Sequence, residues 1–237
     1  MSRSPRPILL AIALIVAVLL SGCSLPGTDK GSKPEPVPSA SPTEKVEPTQ
    51  FTRDGTFQSH IDIDGVDFVY TLYPTKSTPR TNEWYPRGDK FFTITLTAYD
   101  LDRKLRDPFK TKRKVYLDRI SVRSTTDSTS QDEGTAGPYE LNARAGKVTF
   151  DPEPTSSRRY GMLITSPKGA FELRNQAIGD VPSDTRLVTL EITASVYIQR
   201  RPGSSDYDRQ DVEQEVPITI FASDEPTKAV EIPVNAN

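Results

Sequence analysis

The residues that most often do chemistry are scarce in this chain, which contains one cysteine, Cys23, and one histidine, His60. A zinc site built from several His or Cys ligands cannot be assembled from them. A Ser-His-Asp triad would have to use His60, and no Gly-x-Ser-x-Gly elbow accompanies it. Acidic residues are abundant, so a carboxylate pair that hydrolyses a glycosidic bond stays open as a catalytic arrangement. The sequence therefore favours a protein that is not an enzyme, with a carboxylate-dependent hydrolase acting on cell-wall glycan as the alternative.

Carboxylates also recur at alternate positions, as at Asp62 and Asp64, at Asp100 and Asp102, and in the segment DYDRQD at 206–211. Such oxygens are the ligands that Ca²⁺ prefers, and the ion takes about six to eight of them. No glycine-containing loop of the calcium-binding kind accompanies these residues. Solvated turns are the expected role, and the sequence predicts neither a metal nor a cofactor.

The surroundings of Cys23 indicate a processing signal. Arg3 and Arg6 form a short positive leader, and residues 8–20 form an apolar run without a charge. A positive leader followed by about 7–15 apolar residues is typical of a secretory signal, whereas a membrane-spanning helix needs about 20. The run ends in LSGC (20–23), which closely resembles the lipobox of bacterial lipoproteins.

The resemblance implies that Leu20, Ser21 and Gly22 precede a cleavage point, that residues 1–22 are removed, and that the Cys23 thiol receives a diacylglyceryl group. Two or more lipid chains hold a protein stably on a bilayer. The implied location is the outer face of the cytoplasmic membrane, with the lipid anchor as the membrane contact. A plain signal peptide with a chance cysteine and an uncleaved anchor are the alternatives.

The segment after the cysteine has the composition of a tether. Residues 24–50 are rich in Pro, Ser, Thr, Lys and Glu and contain almost nothing to bury. Such a composition predicts a disordered or extended segment. At about 3.1 Å per residue in polyproline II it would reach on the order of 80 Å. We therefore assign residues 23–50 to the lipidated cysteine and a tether, and residues 51–237 to a folded domain.

Past residue 50 the hydrophobic pattern has a period of two. In FFTITLTAY (91–99) and RLVTLEITASVYIQ (186–199), β-branched and aromatic residues alternate with polar ones, which predicts half-buried strands. In the second of these segments Tyr197 is predicted to point outward. Turn clusters such as DG at 64–65 separate the segments. Further strands are predicted at 57–63, 66–73, 115–122, 146–150, 160–165, 170–174, 213–222 and 228–234.

Short strands separated by turn signals predict an all-β fold, an antiparallel β-sandwich. The segment GVDFVYTLYP…GDKFFTITLTAYDL (65–101) resembles the immunoglobulin-like domains of actinobacterial exported proteins, among them the mycobacterial immunoprotective extracellular proteins and related lipoproteins. The resemblance implies an immunoglobulin-like sandwich and supplies no catalytic residues. Two long loops are predicted, at 123–146 and 200–211. Two small domains divided near 124–145 are the alternative.

Charged residues are distributed unevenly along the chain. Removing Arg3 and Arg6 lowers the 30 basic residues to 28 against 32 acidic ones, so the mature protein carries about −4, which argues against general nucleic-acid binding. Residues 102–114 are nevertheless basic. They predict contact with anionic lipid headgroups or phosphate-bearing wall polymers, or else a solvated loop whose lysines discourage edge pairing. The basic residues are Arg103, Lys104, Arg106, Lys110, Lys112, Arg113 and Lys114.

These observations lead to one main hypothesis. We expect a lipid-anchored surface protein whose sandwich binds an envelope protein or an anionic wall polymer, or serves as an accessory subunit of a membrane complex.

Replacing the cysteine tests the anchor. Cys23→Ala removes the only thiol that can be acylated, so the protein should be released to the medium or accumulate as the uncleaved precursor. Fractionation of cells with mass measurement of the product decides this, with Ser24→Ala as the matched control. A Cys23→Ala protein that stays membrane-bound and is processed normally would contradict the lipobox interpretation.

Overall fold

Ten β-strands and three single-turn helical segments form the computed structural model, which describes residues 50–76, 78–130 and 135–222. The predicted signal peptide, Cys23, almost all of the tether and the predicted strand 228–234 lie outside these residues. The strands are β1 (Phe57–Ile63), β2 (Val66–Pro74), β3 (Lys90–Asp100), β4 (Val115–Ser128), β5 (Thr135–Arg144), β6 (Ser156–Ser157), β7 (Gly161–Leu163), β8 (Phe171–Ile178), β9 (Thr185–Gln199) and β10 (Tyr207–Thr219). The helical segments are 3-10 turns at Thr81–Glu83 and Phe109–Thr111 and one α-helical turn, α1, at Ala145–Val148.

The strands form two antiparallel sheets. Sheet 1 has the order β1-β2-β3-β8, and sheet 2 has the order β10-β9-β4-β7-β6, with β5 also paired to β4. The chain crosses between the sheets from β3 to β4, from β7 to β8 and from β8 to β9. In immunoglobulin-like sandwiches, strands A, B and E are neighbours in one sheet and G, F and C in the other. The triplets β2-β3-β8 and β10-β9-β4 have this order. The predicted all-β antiparallel sandwich is confirmed.

Alternating side chains build the core between the sheets. Along β3 the inward residues are Phe92, Ile94, Leu96 and Ala98, and all four are buried. Along β9 every second residue from Val188 to Ile198 is likewise buried. The buried residues form one hydrophobic cluster, and the described residues belong to a single compact unit, Val46–Asn237.

The structure corrects the predicted loop at 123–146. β4 continues to Ser128, and β5 returns along it from Thr135 to Arg144. Gly137 permits the close pairing, since a Cβ there would lie 2.5 Å from the Ser124 hydroxyl oxygen. The end of β4, RSTTDS (123–128), is rich in Ser and Thr, and β5 lacks an apolar stripe, so the pattern of both resembled that of a loop.

Two further boundaries differ from the sequence-based expectations. The predicted strand at 146–150 is instead the α1 turn, followed by coil. The predicted loop at 200–211 is shorter, because β10 already begins at Tyr207 and pairs with the end of β9 at Gln199.

A buried ion pair joins the β1–β2 turn to the two ends of the β3–β4 connection at one end of the sandwich. The carboxylate of Asp100, at the end of β3, accepts hydrogen bonds from the Arg113 backbone N (2.8 Å), Nη2 (2.9 Å) and Nε (3.1 Å). Arg113 also donates from Nη1 to the carbonyl of Asp64 (2.7 Å) and from Nη2 to that of Gly65 (2.8 Å). Asp64 and Gly65 form the two-residue β1–β2 turn, with φ values of 53° and 72°. Positive φ at both positions is the type I′ geometry that the Asp-Gly sequence favours.

Removal of the Asp100 carboxylate tests the importance of this pair. Asp100→Ala leaves the buried Arg113 guanidinium with only the exposed Asp102 carboxylate, at 3.5 Å, so the free energy of unfolding should fall by about 3–5 kcal/mol. Urea unfolding of the purified mature protein measures the loss. The matched control is Glu191→Ala, which breaks an exposed 2.5 Å pair with Arg123 and should cost about 0.2–1 kcal/mol. Equal losses in the two variants would contradict the structural role.

Candidate binding site

The basic segment predicted at 102–114 lies at the end of the sandwich that also carries the β1–β2 turn and the β9–β10 turn. Its position follows from Arg113, which contacts the first of these turns, and from Lys114, whose backbone N donates to the Gln199 side-chain oxygen (3.0 Å) at the end of β9. Arg103, Lys104, Arg106 and Lys110 are exposed, and Lys114 is half-buried. We call this part of the molecule the turn end.

Two residues of the predicted basic surface are buried instead. Lys112 is 3% exposed and its Nζ donates to the carbonyl of Lys104. Arg113 is 8% exposed and forms the ion pair with Asp100. Both cations stabilise internal contacts, so the basic surface is narrower than the sequence predicts and consists of the other five residues.

Four tyrosine side chains cluster on the outer face of sheet 2 at the turn end. They are Tyr116 on β4, Tyr160 just before β7, Tyr197 on β9 and Tyr207 on β10. Strand register brings three of them together, since Tyr116 lies opposite Tyr197 and Tyr207 lies opposite Gln199. Tyr197 points outward as predicted. All four side chains are half-buried.

The fourth ring arrives through a close approach of the backbone. Gly161 has a φ of 94°, and a Cβ there would lie 2.2 Å from the Leu117 carbonyl oxygen. Only glycine allows the chain to pass this close to β4, which carries the preceding Tyr160 over the sheet. The Tyr160 ring centroid lies 4.3 Å from that of Tyr207 and 5.1 Å from that of Tyr197. Tyr116 lies 5.8 Å from Tyr207 and 6.1 Å from Tyr160.

Three of these rings, those of Tyr160, Tyr197 and Tyr207, form one side of a cleft of about 520 Å³. Arg159 lies over the Tyr160 ring with its guanidinium carbon 5.2 Å from the centroid, a cation–π distance. Arg200 pairs with Asp208 at 2.5 Å. The lining residues are Arg159, Tyr160, Tyr197, Arg200, Ser205, Asp206 and Tyr207, and we call this site the tyrosine cleft.

The phenols of Tyr207 and Tyr116 are neutral at physiological pH. Burial, together with the negative charge that Tyr116 and Tyr160 would carry when ionised, raises the pKa of Tyr207 to about 12. Burial also raises the pKa of Tyr116, although its contact with Tyr207 partly offsets this. A neutral phenol both donates and accepts hydrogen bonds, so the cleft presents apolar ring surface and polar edges side by side.

The paired acids of the sequence serve local contacts. Asp62 accepts a hydrogen bond from the Gly65 backbone N (2.9 Å), and Asp211 accepts one from the Ser195 hydroxyl (2.6 Å). His60 lies on an exposed position of β1 and contacts Asp67 at 2.8 Å. Among the described residues, no three His, Cys, Asp or Glu side chains come together as a metal site. Nor do the described residues include a helix long and apolar enough to span a membrane.

Sequence reasoning missed the tyrosine cleft because its members come from four separate segments. The available signal was the repeated pairing of Arg-Arg with a nearby tyrosine, in SRRYG (157–161) and in YIQRR (197–201). Comparison of the chain with models of protein families and with curated proteins returns no match. The geometry of the cleft is therefore the basis for inferring a function.

The pKa of Tyr207 predicts a dependence of stability on pH. Since the folded-state value exceeds the ordinary value of 10, the folded protein retains this proton while the unfolded chain releases it. Stability should therefore fall as the pH rises from about 10 to 12. Tyr207→Phe should lose less stability over this range than the wild type, as measured by urea unfolding at successive pH values.

The matched control for this measurement is Thr97→Ala, at a half-buried position on sheet 1 whose side chain does not titrate, and it should keep the wild-type pH dependence. An alkaline loss in Tyr207→Phe as large as that of the wild type would contradict the assigned environment.

Proposed function

We propose that the protein is a lipid-anchored, extracytoplasmic binding module that performs no catalysis and holds an envelope ligand in the tyrosine cleft. One observation carries the proposal, the cluster of four half-exposed tyrosines beside Arg159 and Arg200. Tyr and Arg are enriched at binding interfaces and supply most of their strongest contacts. Tyrosine provides large contact area while only two side-chain torsions become fixed.

The direction of the chain supports this role. Residue 50 precedes β1, and β1 runs from Phe57 away from this entry point to the turn at Asp64 and Gly65. The turn end is thus the far end of the sandwich from the point where the predicted tether joins it. A lipid on Cys23 and a tether on the order of 80 Å long would leave the cleft free to meet material beyond the membrane surface.

The charge at the turn end supports an anionic ligand. Arg158, Arg159 and Arg201 are exposed and form no ion pair with any described carboxylate. The exposed basic residues of the 103–110 connection lie at the same end. A protein with net negative charge has therefore gathered positive charge at the surface that faces away from its tether, and a wall polymer bearing negative charge is the partner this favours.

Sedimentation with isolated envelope material tests the proposal. The mature protein, extracted in detergent, should sediment with delipidated cell envelopes, and the double variant Tyr160→Ala/Tyr207→Ala should bind at least about tenfold more weakly because two hot-spot rings are removed. Tyr99→Ala, on the other sheet, is the matched control and should bind as the wild type does.

A second variant, Arg159→Glu, distinguishes a loss of binding from a folding defect in the double variant. The Arg159 side chain is exposed, so reversal of its charge leaves the core unchanged. Its binding should also fall, with circular dichroism unaltered. Wild-type binding by both cleft variants would overturn the proposal.

A further inference from the structure

We infer that the tyrosine cleft binds an anionic glycan, a chain of sugar rings that carries phosphate or carboxylate groups. The inference rests on the proposed function and assigns a ligand class to the same site. Its basis is the combination, in one cleft, of partly exposed aromatic side chains with an arginine, Arg159, that has no carboxylate partner among the described residues.

The rings match the shape of a sugar. The Tyr160 and Tyr207 rings stack on one another, with centroids 4.3 Å apart and planes tilted by 31°. Both side chains stay half-exposed, so the stack still presents aromatic surface to the cleft. A sugar ring has an apolar face of C–H groups and a rim of hydroxyls. The apolar face fits on aromatic surface, and the rim meets the polar edge of the cleft, where the Tyr160 hydroxyl, the Ser205 carbonyl and Asp206 lie.

The arginines match the charge of the ligand. Arg200 is already neutralised by Asp208, whereas Arg159 contacts only the Tyr160 ring, and Arg158 and Arg201 are exposed beside them. A guanidinium presents paired N–H donors that fit the two oxygens of a phosphate or carboxylate. One sugar ring on the tyrosines therefore brings an acidic substituent within reach of a cation that the protein does not itself neutralise.

Other anionic polymers share only part of this chemistry. Polyphosphate and acidic peptides offer charge without sugar rings. A single-stranded nucleic acid offers charge and stacking bases, yet the proposed location outside the cytoplasm disfavours it. The size of the cleft, about 520 Å³, lies within the range of small-ligand sites and accommodates a short stretch of glycan.

Calorimetric titration of the mature protein with defined polymers tests the assignment. The probes are a uronate oligosaccharide, a sugar-phosphate oligomer, a neutral oligosaccharide of equal length, polyphosphate, polyglutamate and single-stranded DNA. At least one anionic glycan should bind about tenfold or more tightly than the neutral one and than each polymer without sugar rings. The uronate and sugar-phosphate arms distinguish carboxylate from phosphate as the recognised group.

Single substitutions separate the contribution of the tyrosine rings to binding from that of the arginine charge. Tyr160→Ala should weaken glycan binding at least about tenfold and leave the weak polyphosphate binding unchanged. Arg159→Gln should weaken both and reduce the salt dependence of glycan binding. Tyr99→Ala and Arg186→Gln, whose side chains lie away from the cleft, are the matched controls and should bind as the wild type does.

Tighter binding of polyglutamate or DNA than of either anionic glycan would overturn the inference, as would glycan binding that the cleft variants leave unchanged. The results also distinguish failure of this ligand class from failure of the proposed function. If the cleft variants lose envelope binding while no anionic glycan binds the wild type, only the ligand class is wrong. If the cleft variants still sediment with envelopes, the cleft is not the binding site.

Discussion

The buried ion pair of Asp100 and Arg113 stabilises the turn end, where the tyrosine cleft lies. Its hydrogen bonds join the β1–β2 turn, the end of β3 and the start of β4. Val115 begins β4 two residues after Arg113, and the ring of the next residue, Tyr116, contacts the cleft residues Tyr160 and Tyr207. A charge pair this deeply buried depends on full hydrogen bonding, because either ion alone would face a large desolvation penalty. The placement of Tyr116 thus depends on an ion pair whose two residues do not line the cleft.

A second set of hydrogen bonds positions the other side of the cleft. The segment after β7 connects the two sheets, since the Ile164 carbonyl accepts from the Ala98 backbone N of sheet 1 (2.9 Å) and the Ile164 backbone N donates to the Val115 carbonyl of sheet 2 (2.9 Å). The Thr165 hydroxyl accepts from the Val115 backbone N at 2.7 Å. Tyr160 stands four residues before Ile164, so its ring is held over sheet 2 by the backbone that joins the sheets. The cleft therefore rests on the rigid part of the fold rather than on a free loop.

The sequence predicted those features of the fold that the alternation of apolar and polar residues along a strand determines by itself. The core faces of β3 and β9 and the outward direction of Tyr197 follow from a period of two, and the structure has them. Alternation could not identify β5, because its residues pack through Ser124 and Gly137 rather than through an apolar stripe. It also could not separate Arg113 from its exposed basic neighbours, since the partner that buries it, Asp100, is 13 residues away. The cleft depends on register between distant strands, which no local pattern contains.

The distribution of charge resolves an apparent conflict between an acidic protein and an anionic partner. At physiological ionic strength, charges farther apart than about 8 Å are largely screened from one another when they are exposed to solvent. A ligand at the turn end therefore senses the charges near the cleft, which are Asp206 and the cations Arg158, Arg159 and Arg201, far more strongly than the charges at the opposite end. Rim charges of this kind mainly accelerate association and select the partner, whereas the tyrosine faces supply contact area that salt does not screen. A site built from both retains its ligand at ionic strengths at which a purely basic patch would release it.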